Sequence, residues 1–250
     1  MLTPLSLGLL AAGFFTAMLS GIAGVGGGTV LIAILYALGL TPTVAVPLHA
    51  AVQMVSNGTR VVAYLRDVEW RAAGWFLLTA LPTPFLVAGF VAQANVDAIR
   101  LLLAGLIIVS LLPGSVKLPQ LGLRSSYLLA GALNGSLGMF VGATGLFVGR
   151  LFLRPEWDKR TIVGTLALCQ TLGHLLKMLA YASVGFGVLE RPELLWPLVI
   201  SVIVGTFAGR WLHERVSDSG FRRVFKFILL TLSLKLAYDG LQGLGWLNWI

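Results

Sequence analysis

The chain has 250 residues, 57% hydrophobic and only 11% charged, with a formal net charge of +8 and a mean hydropathy of +0.90. Soluble domains carry about 25% charged residues, so this composition excludes an ordinary soluble protein and reads as an all-α polytopic membrane protein. The positive balance then belongs to loops on the cytoplasmic side rather than to a nucleic-acid site, and the single Cys169 excludes an internal disulfide or a CxxC metal centre.

In chain order, apolar stretches cover 5–40, 44–65, 72–92 and 99–112 in the first half. In the second half they cover 127–152, 161–188, 194–212 and 224–246. The N-terminal Met1-Leu2-Thr3-Pro4 lacks a positive n-region, so no cleaved signal peptide is expected. Within the first stretch, residues 21–28 read Gly-Ile-Ala-Gly-Val-Gly-Gly-Gly; within the fifth, 138–145 read Gly-Met-Phe-Val-Gly-Ala-Thr-Gly. Glycine interrupts a helix, and irregular backbone at membrane depth survives only where protein buries it or a polar cavity receives it. Paired breaks in corresponding places point to the binding site of a transporter.

The helical segments flanking the first break, 5–19 and 29–40, reach about 22 and 18 Å, short of a hydrocarbon core of about 30 Å. They form either one kinked span or a hairpin with both ends on one side. With hairpins, one side receives 13 Lys and Arg residues and the other only Arg100 and Arg191; with kinked spans the split is 10 to 5. The positive-inside rule selects the hairpins. Each half is then a glycine-broken hairpin plus three transmembrane helices. The halves, 1–116 and 120–250, insert in opposite senses as an inverted-topology repeat with both termini outside. The expected location is the cell (inner) membrane.

The repeat is visible in residues. Ala12-Gly13 aligns with Ala130-Gly131, Gly24 with Gly142, and Gly27 with Gly145. Further on, Gln53, Asn57, Arg60 and Tyr64 match Gln170, His174, Lys177 and Tyr181 at the same spacing. Steps of four and three residues put each set on one helical face. A basic residue inside a span marks a functional site by default, although snorkelling would carry either cation away to the membrane surface.

These features have a family likeness. Gly24-Val25-Gly26-Gly27-Gly28, then Leu38-Gly39-Leu40-Thr41-Pro42, and Tyr64 ahead of Asp67 and Trp70 resemble the sulfite exporter TauE/SafE family, also called the toluene-sulfonate uptake permeases. Gly164-Thr165 and Gly142 with Gly145 resemble its second-half motif. Ala33 and Val46-Pro47 depart from the family pattern. The resemblance implies transport, often outward, of sulfite or small organosulfur anions such as sulfoacetate.

The residues themselves also point to an anion. Helix N-termini at the tips offer unpaired N–H groups and about half a positive charge. Substrate contacts are expected from Gly26, Gly27, Gly28 and Thr29 at one tip and from Thr144 and Gly145 at the other. Arg60 and Lys177 would supply full charge; Gln53, Asn57, Gln170 and His174 would orient oxygens. Ser20, Asn134 and Ser136 add neutral donors, and His49 stands one turn before Gln53. The region contains no deep Asp or Glu, which argues against a carboxylate-built cation site, and no cofactor is expected. Coupling to H+ or Na+ and homo-oligomerisation stay open, as do a channel-like pathway, an ion-coupled importer of another small anion and a non-transporting accessory role. An intramembrane enzyme would need a nucleophile with its base, a metal cluster or a carboxylate pair, and the chain shows none of these patterns. Lys235 and Asp239, at i and i+4 in the last span, are expected to pair with each other.

Overall fold

The computed structural model of the chain describes residues 4–23, 26–112, 121–213, 215 and 217–247. Gly24 and the seam between the halves at 113–120 lie outside the described residues. Among the described residues the chain is helix and connecting turn, without strands. In chain order the helices are α1 (Pro4–Ala23), α2 (Gly27–Ala37), α3 (Pro42–Tyr64), α4 (Trp70–Ala80), α5 (Pro82–Val91) and α6 (Val96–Leu111). They continue with α7 (Leu123–Gly135), α8 (Leu137–Val141), α9 (Gly145–Leu151), α10 (Lys159–Ser183), α11 (Pro192–His213) and α12 (Asp218–Gly243). Three segments among the described residues are long and apolar enough to cross a membrane: Trp70–Val91, Lys159–Ser183 and Pro192–Gly209. The protein is a multi-pass, all-helical membrane protein.

The helices pack into two compact units that do not follow the chain. The first takes Met1–Ala45, Ala94–Ser115 and Leu189–Ile250; the second takes Val46–Gln93 and Val116–Val188.

In the first unit, α1 and α2 lie antiparallel. Gly27 rests on the Thr16 carbonyl and Ser20 near the break, while Gly8 meets Leu38 at the far end. Nearly every side chain of α2 from Val30 to Tyr36 is buried, as expected of a helix apolar on all sides. Its N-cap, Gly26, has φ +97, a left-handed conformation that glycine adopts at little cost. Beside this hairpin, α1 runs parallel to α11. Gly13 fits against the Leu198 carbonyl and Ser201, Gly205 against Phe14, and Gly209 against Met18. Small residues do this in lipid because close backbone approach, rather than hydrophobic burial, drives helix association there. On another side, α6 meets α12 where Gly240 and Gly243 sit over Asp97 and Leu101. Asp97 pairs with Arg100 at 2.7 Å, and Asn95 caps α6 through the N–H groups of Asp97 and Ala98.

In the second unit the chain reverses again. Thr144 hydrogen-bonds Asn134, and Arg154 donates to the Leu121 carbonyl at 2.8 Å. Phe76, Tyr127 and Phe152 form a buried aromatic cluster with Trp157 at its edge. Along this core, α7 runs parallel to α4 and α5: Gly131 fits against the Phe76 carbonyl and Thr79, and Gly135 against Thr83 and Pro84. α3 and α10 are antiparallel, with His49 opposite His174 and Tyr64 opposite Gly164. Asp158 caps α10 through the Thr161 N–H at 2.8 Å.

One contact occurs in both units. Gly13 meets a carbonyl and a hydroxyl three residues apart, Leu198 and Ser201; Gly131 meets Phe76 and Thr79. The glycines are 118 positions apart, and each partner pair is separated by 122. Both hydroxyls also bond back to the carbonyl three residues earlier, Ser201 to Leu198 at 2.9 Å and Thr79 to Phe76 at 3.3 Å. In each unit a first hairpin arm thus lies against a helix drawn from the opposite half of the sequence.

Candidate functional site

The second break is where the second unit concentrates its buried polarity. α8 ends at Gly142, with φ +71, so the last carbonyls of that arm lose their intrahelical partners. The side chains that answer them come from α10. Lys177 is fully buried and donates from Nζ to the Gly142 carbonyl at 3.1 Å. One turn on, the Tyr181 hydroxyl donates to the Met139 carbonyl. Gly138 admits the ammonium: a Cβ there would stand 2.7 Å from Nζ. Lys177 therefore does not snorkel to a surface; its charge lies at the break, where the negative end of the arm favours it.

Thr144 lies with the ammonium against Gly138, and Gln170 and His174 on the same face of α10, with Asn134 of α7, are buried too. Thr144 donates its hydroxyl hydrogen to Asn134 Oδ1 at 3.0 Å, which aims the amide nitrogen at Gly173 of α10. That nitrogen, Gln170 Nε2 and His174 Nδ1 have no hydrogen-bond partner among the described residues. A buried donor left without an acceptor costs about 1–3 kcal/mol, and native structures hold few of them. The two amide nitrogens are donors, His174 Nδ1 donates or accepts according to its tautomer, and all three lie on the elements that carry or face the buried Lys177. His49 meets the His174 ring edge-on, with centroids 5.5 Å apart. No Asp or Glu is among the buried residues described, and no group of three potential metal ligands occurs among the described residues.

The other expected residues are placed differently. Asn57 is buried and accepts from Arg60 Nη1 at 3.3 Å, while Arg60 itself is only half-buried. Gln53 lies one turn before Asn57 and is also partly buried. Gly26, Gly27, Gly28 and Thr29 belong to the first unit. There Gly26 faces the Phe225 ring, which stacks on Phe221, and Thr29 donates its N–H to the Gly26 carbonyl at 3.1 Å. α2 begins at Gly27 and α9 at Gly145, the aligned glycines. α9 is only seven residues long, so positive charge at the second break comes chiefly from Lys177. Lys235 and Asp239 pair at 2.8 Å on α12, as their spacing predicts.

Asn134 and the glycines that frame the pocket, Gly138 and Gly173, are the contributions that spacing alone leaves unranked. A polar amide ten residues before Thr144 was the one available signal for Asn134.

A family model described as Sulfite exporter TauE/SafE matches residues 9–236. No curated relative and no solved structure matches the chain.

Proposed function

The chain belongs to the sulfite exporter TauE/SafE family, and from that premise we propose that it is a secondary carrier exporting a small sulfur-containing anion, sulfite or an organosulfonate, across the inner membrane. The observation that carries the reading is the fully buried Lys177, bonded to the Gly142 carbonyl, on a helix whose same face carries Gln170 and His174; polar atoms of both, and of Asn134, have no partner among the described residues. A buried cation with no buried carboxylate among the described residues to balance it favours an anion as the missing counter-charge.

In this reading Lys177 holds the charge of the anion, and Gln170, His174 and Asn134 donate to or orient its oxygens. Thr144 fixes the Asn134 amide, and Gly145 leaves the backbone at the second tip accessible. Gln53, Asn57 and Arg60 form the matching stripe on α3. Gly26, Gly27, Gly28 and Thr29 are the first repeat's counterpart of the second tip. The two repeats, 1–116 and 120–250, insert in opposite senses with both termini outside. Support for the duplication comes from the glycine contact repeated at Gly13 and Gly131. Antiparallel α3 and α10, which carry the matched stripes, support the inversion.

Direction follows from charge. An inside-negative potential favours anion exit by about 2.3 kcal/mol per charge per 100 mV, so export proceeds without a coupled ion. The test is flux of sulfite, methanesulfonate, thiosulfate and sulfate through the purified protein in liposomes at controlled potential. Saturable flux lost in Lys177→Gln is the expected result. Unchanged flux in both Lys177→Gln and Arg60→Gln would show that the site is elsewhere, and flux without saturation would make the protein a channel.

A further inference from the structure

We infer that the end of α11 and the start of α12 form a binding surface for anionic phospholipid, with the headgroup phosphate on arginine and lysine and the acyl chains along apolar rows; this surface is independent of the transport reading. All of its residues belong to the first unit. Within 210–226 the sequence places five cations, Arg210, Arg215, Arg222, Arg223 and Lys226, against two acids, Glu214 and Asp218. Arg215, Arg222, Arg223 and Lys226 are exposed, and none of them enters an ion pair among the described residues.

Exposed cations alone describe a solvated face; the residues below them decide otherwise. On α11, Val204, Phe207 and Trp211 follow steps of three and four, so they share one face. All three are exposed, Phe207 by 69%. On α12, Arg223, Phe227 and Leu230 follow the same steps, with Phe227 68% exposed and Leu230 exposed too. Each row is apolar toward the middle of its helix and reaches a cation at the α11–α12 connection. Exposed apolar rows suit lipid rather than water, and tryptophan marks the headgroup level. A molecule with an anionic head and apolar chains satisfies both parts of each row. A second copy of the chain in the same membrane would bring its own cations to the same depth, where like charges repel.

The placement of Arg215 fits a phosphate. It stands over the Trp211 ring, 3.7 Å from the centroid, a cation–π contact that holds the guanidinium at the level of the indole. Such a contact uses the ring cloud, so the guanidinium's N–H fork still suits phosphate oxygens. The surface also backs onto the first break. Ser217 caps α12 by accepting the Gly220 N–H at 3.3 Å. The turns that follow carry Phe225, stacked on Phe221 and lying against Gly26. A lipid held by Arg222 and Lys226 steadies those turns, so bound lipid should raise the melting temperature.

The experiment uses the full-length protein, immobilised from dodecyl maltoside and offered fluorescent phosphatidylglycerol or phosphatidylcholine. Expected is a preference for phosphatidylglycerol that falls as ionic strength rises. Each cation near the surface contributes about fivefold. Arg222→Gln/Arg223→Gln/Lys226→Gln should therefore weaken phosphatidylglycerol binding by about 100-fold. Removing as many exposed charges elsewhere, in Arg66→Gln/Arg71→Gln/Lys159→Gln, should change it little. Equal retention of both lipids by wild-type protein, or a preference indifferent to salt, overturns the inference without any variant. Wild-type binding in the first triple variant, or equal loss in both, overturns it as well. Displacement of the lipid by inorganic phosphate would make this a soluble-anion site and overturn the lipid assignment. A wild-type dimer lost in Phe207→Ser/Phe227→Ser would give the surface to a second copy, with the same consequence. None of these measurements reads flux, so the transport reading stands or falls separately.

Discussion

Lys177 Nζ donates a hydrogen bond to the Gly142 carbonyl at 3.1 Å, joining α10 to the residue at which α8 stops. Thirty-five positions separate the two residues. The bond couples the only fully buried cation described to the glycine break, so charge and irregular backbone occupy one place. Its two functions can be separated by substitution.

Lys177→Gln keeps a donor for the carbonyl and removes the charge. Saturable anion flux should fall by on the order of 100-fold or more, because the counter-charge is lost, while thermal stability in detergent changes little. Lys177→Met removes both and leaves the Gly142 carbonyl unsatisfied, a loss of about 1–3 kcal/mol. Flux in liposomes and melting of the purified variants check the two effects side by side.

Gly138→Ala tests the position of the ammonium. The new Cβ would lie 2.7 Å from Lys177 Nζ and 2.9 Å from Cε, so the end of the side chain must shift. The expected outcome is an increase in KM of about tenfold, equivalent to about 1.4 kcal/mol of binding, with the fold retained. Gly105→Ala on α6 is the control. Nothing lies within 4 Å of its Cβ, and removing a helical glycine should stabilise by about 0.5–1 kcal/mol. A similar KM change in both variants would remove the pocket from the explanation.

Gly13→Val and Gly131→Val should destabilise to similar extents, by about 1–3 kcal/mol each from forced repacking. A Cβ at Gly13 would stand 2.1 Å from Ser201 Oγ and 3.1 Å from the Leu198 carbonyl, and one at Gly131 2.1 Å from the Phe76 carbonyl and 2.4 Å from Thr79 Oγ1, so neither site has room for a larger side chain. Comparable drops in melting temperature are expected of a duplicated contact; a loss confined to one variant contradicts it.

Asp158 carries the pH dependence at the start of α10. The Thr161 N–H, and then the Thr161 side chain, hold its carboxyl below the usual carboxylate range. A depressed folded pKa contributes stability that is present above the unfolded value and is lost as pH falls through the folded one. Wild-type protein should therefore lose its advantage over Asp158→Ala on acidification. Asp158→Asn, which still caps, should show a smaller acid-dependent change. Melting curves across the acid range measure both.

Single cysteines at Thr41 and Glu156, both exposed, should react with impermeant thiol reagents from opposite faces. Thr41→Cys is expected to label from outside and Glu156→Cys from the cytoplasm. The native Cys169 is fully buried and gives little background. Labelling of both from one face would contradict the opposed insertion of the two repeats.

Much of this architecture was legible in the residues. The glycine tracts marked where the second arms begin, and α2 and α9 do start at Gly27 and Gly145, because glycine disfavours the helix it interrupts. The stripe Gln170, His174 and Lys177 was readable because an α-helix repeats every 3.6 residues, and all three side chains are buried together. The short helix α8, set off from α7 at Ser136, was not readable: its sequence is as apolar as a continuous helix.

Composition, spacing and charge asymmetry by themselves determined a polytopic helical protein with duplicated breaks and a cation on each matched helix. Only the tertiary structure decided that α1 lies on α11 and α7 on α4, and that Lys177 reaches Gly142 while Arg60 stays with Asn57. The physical reason is lipid. A soluble helix advertises its packed face by a polar opposite face, whereas a membrane helix is apolar on both. Its neighbours are chosen by the fit of glycines against backbone and by single buried hydrogen bonds, which emerge only once the chain is folded.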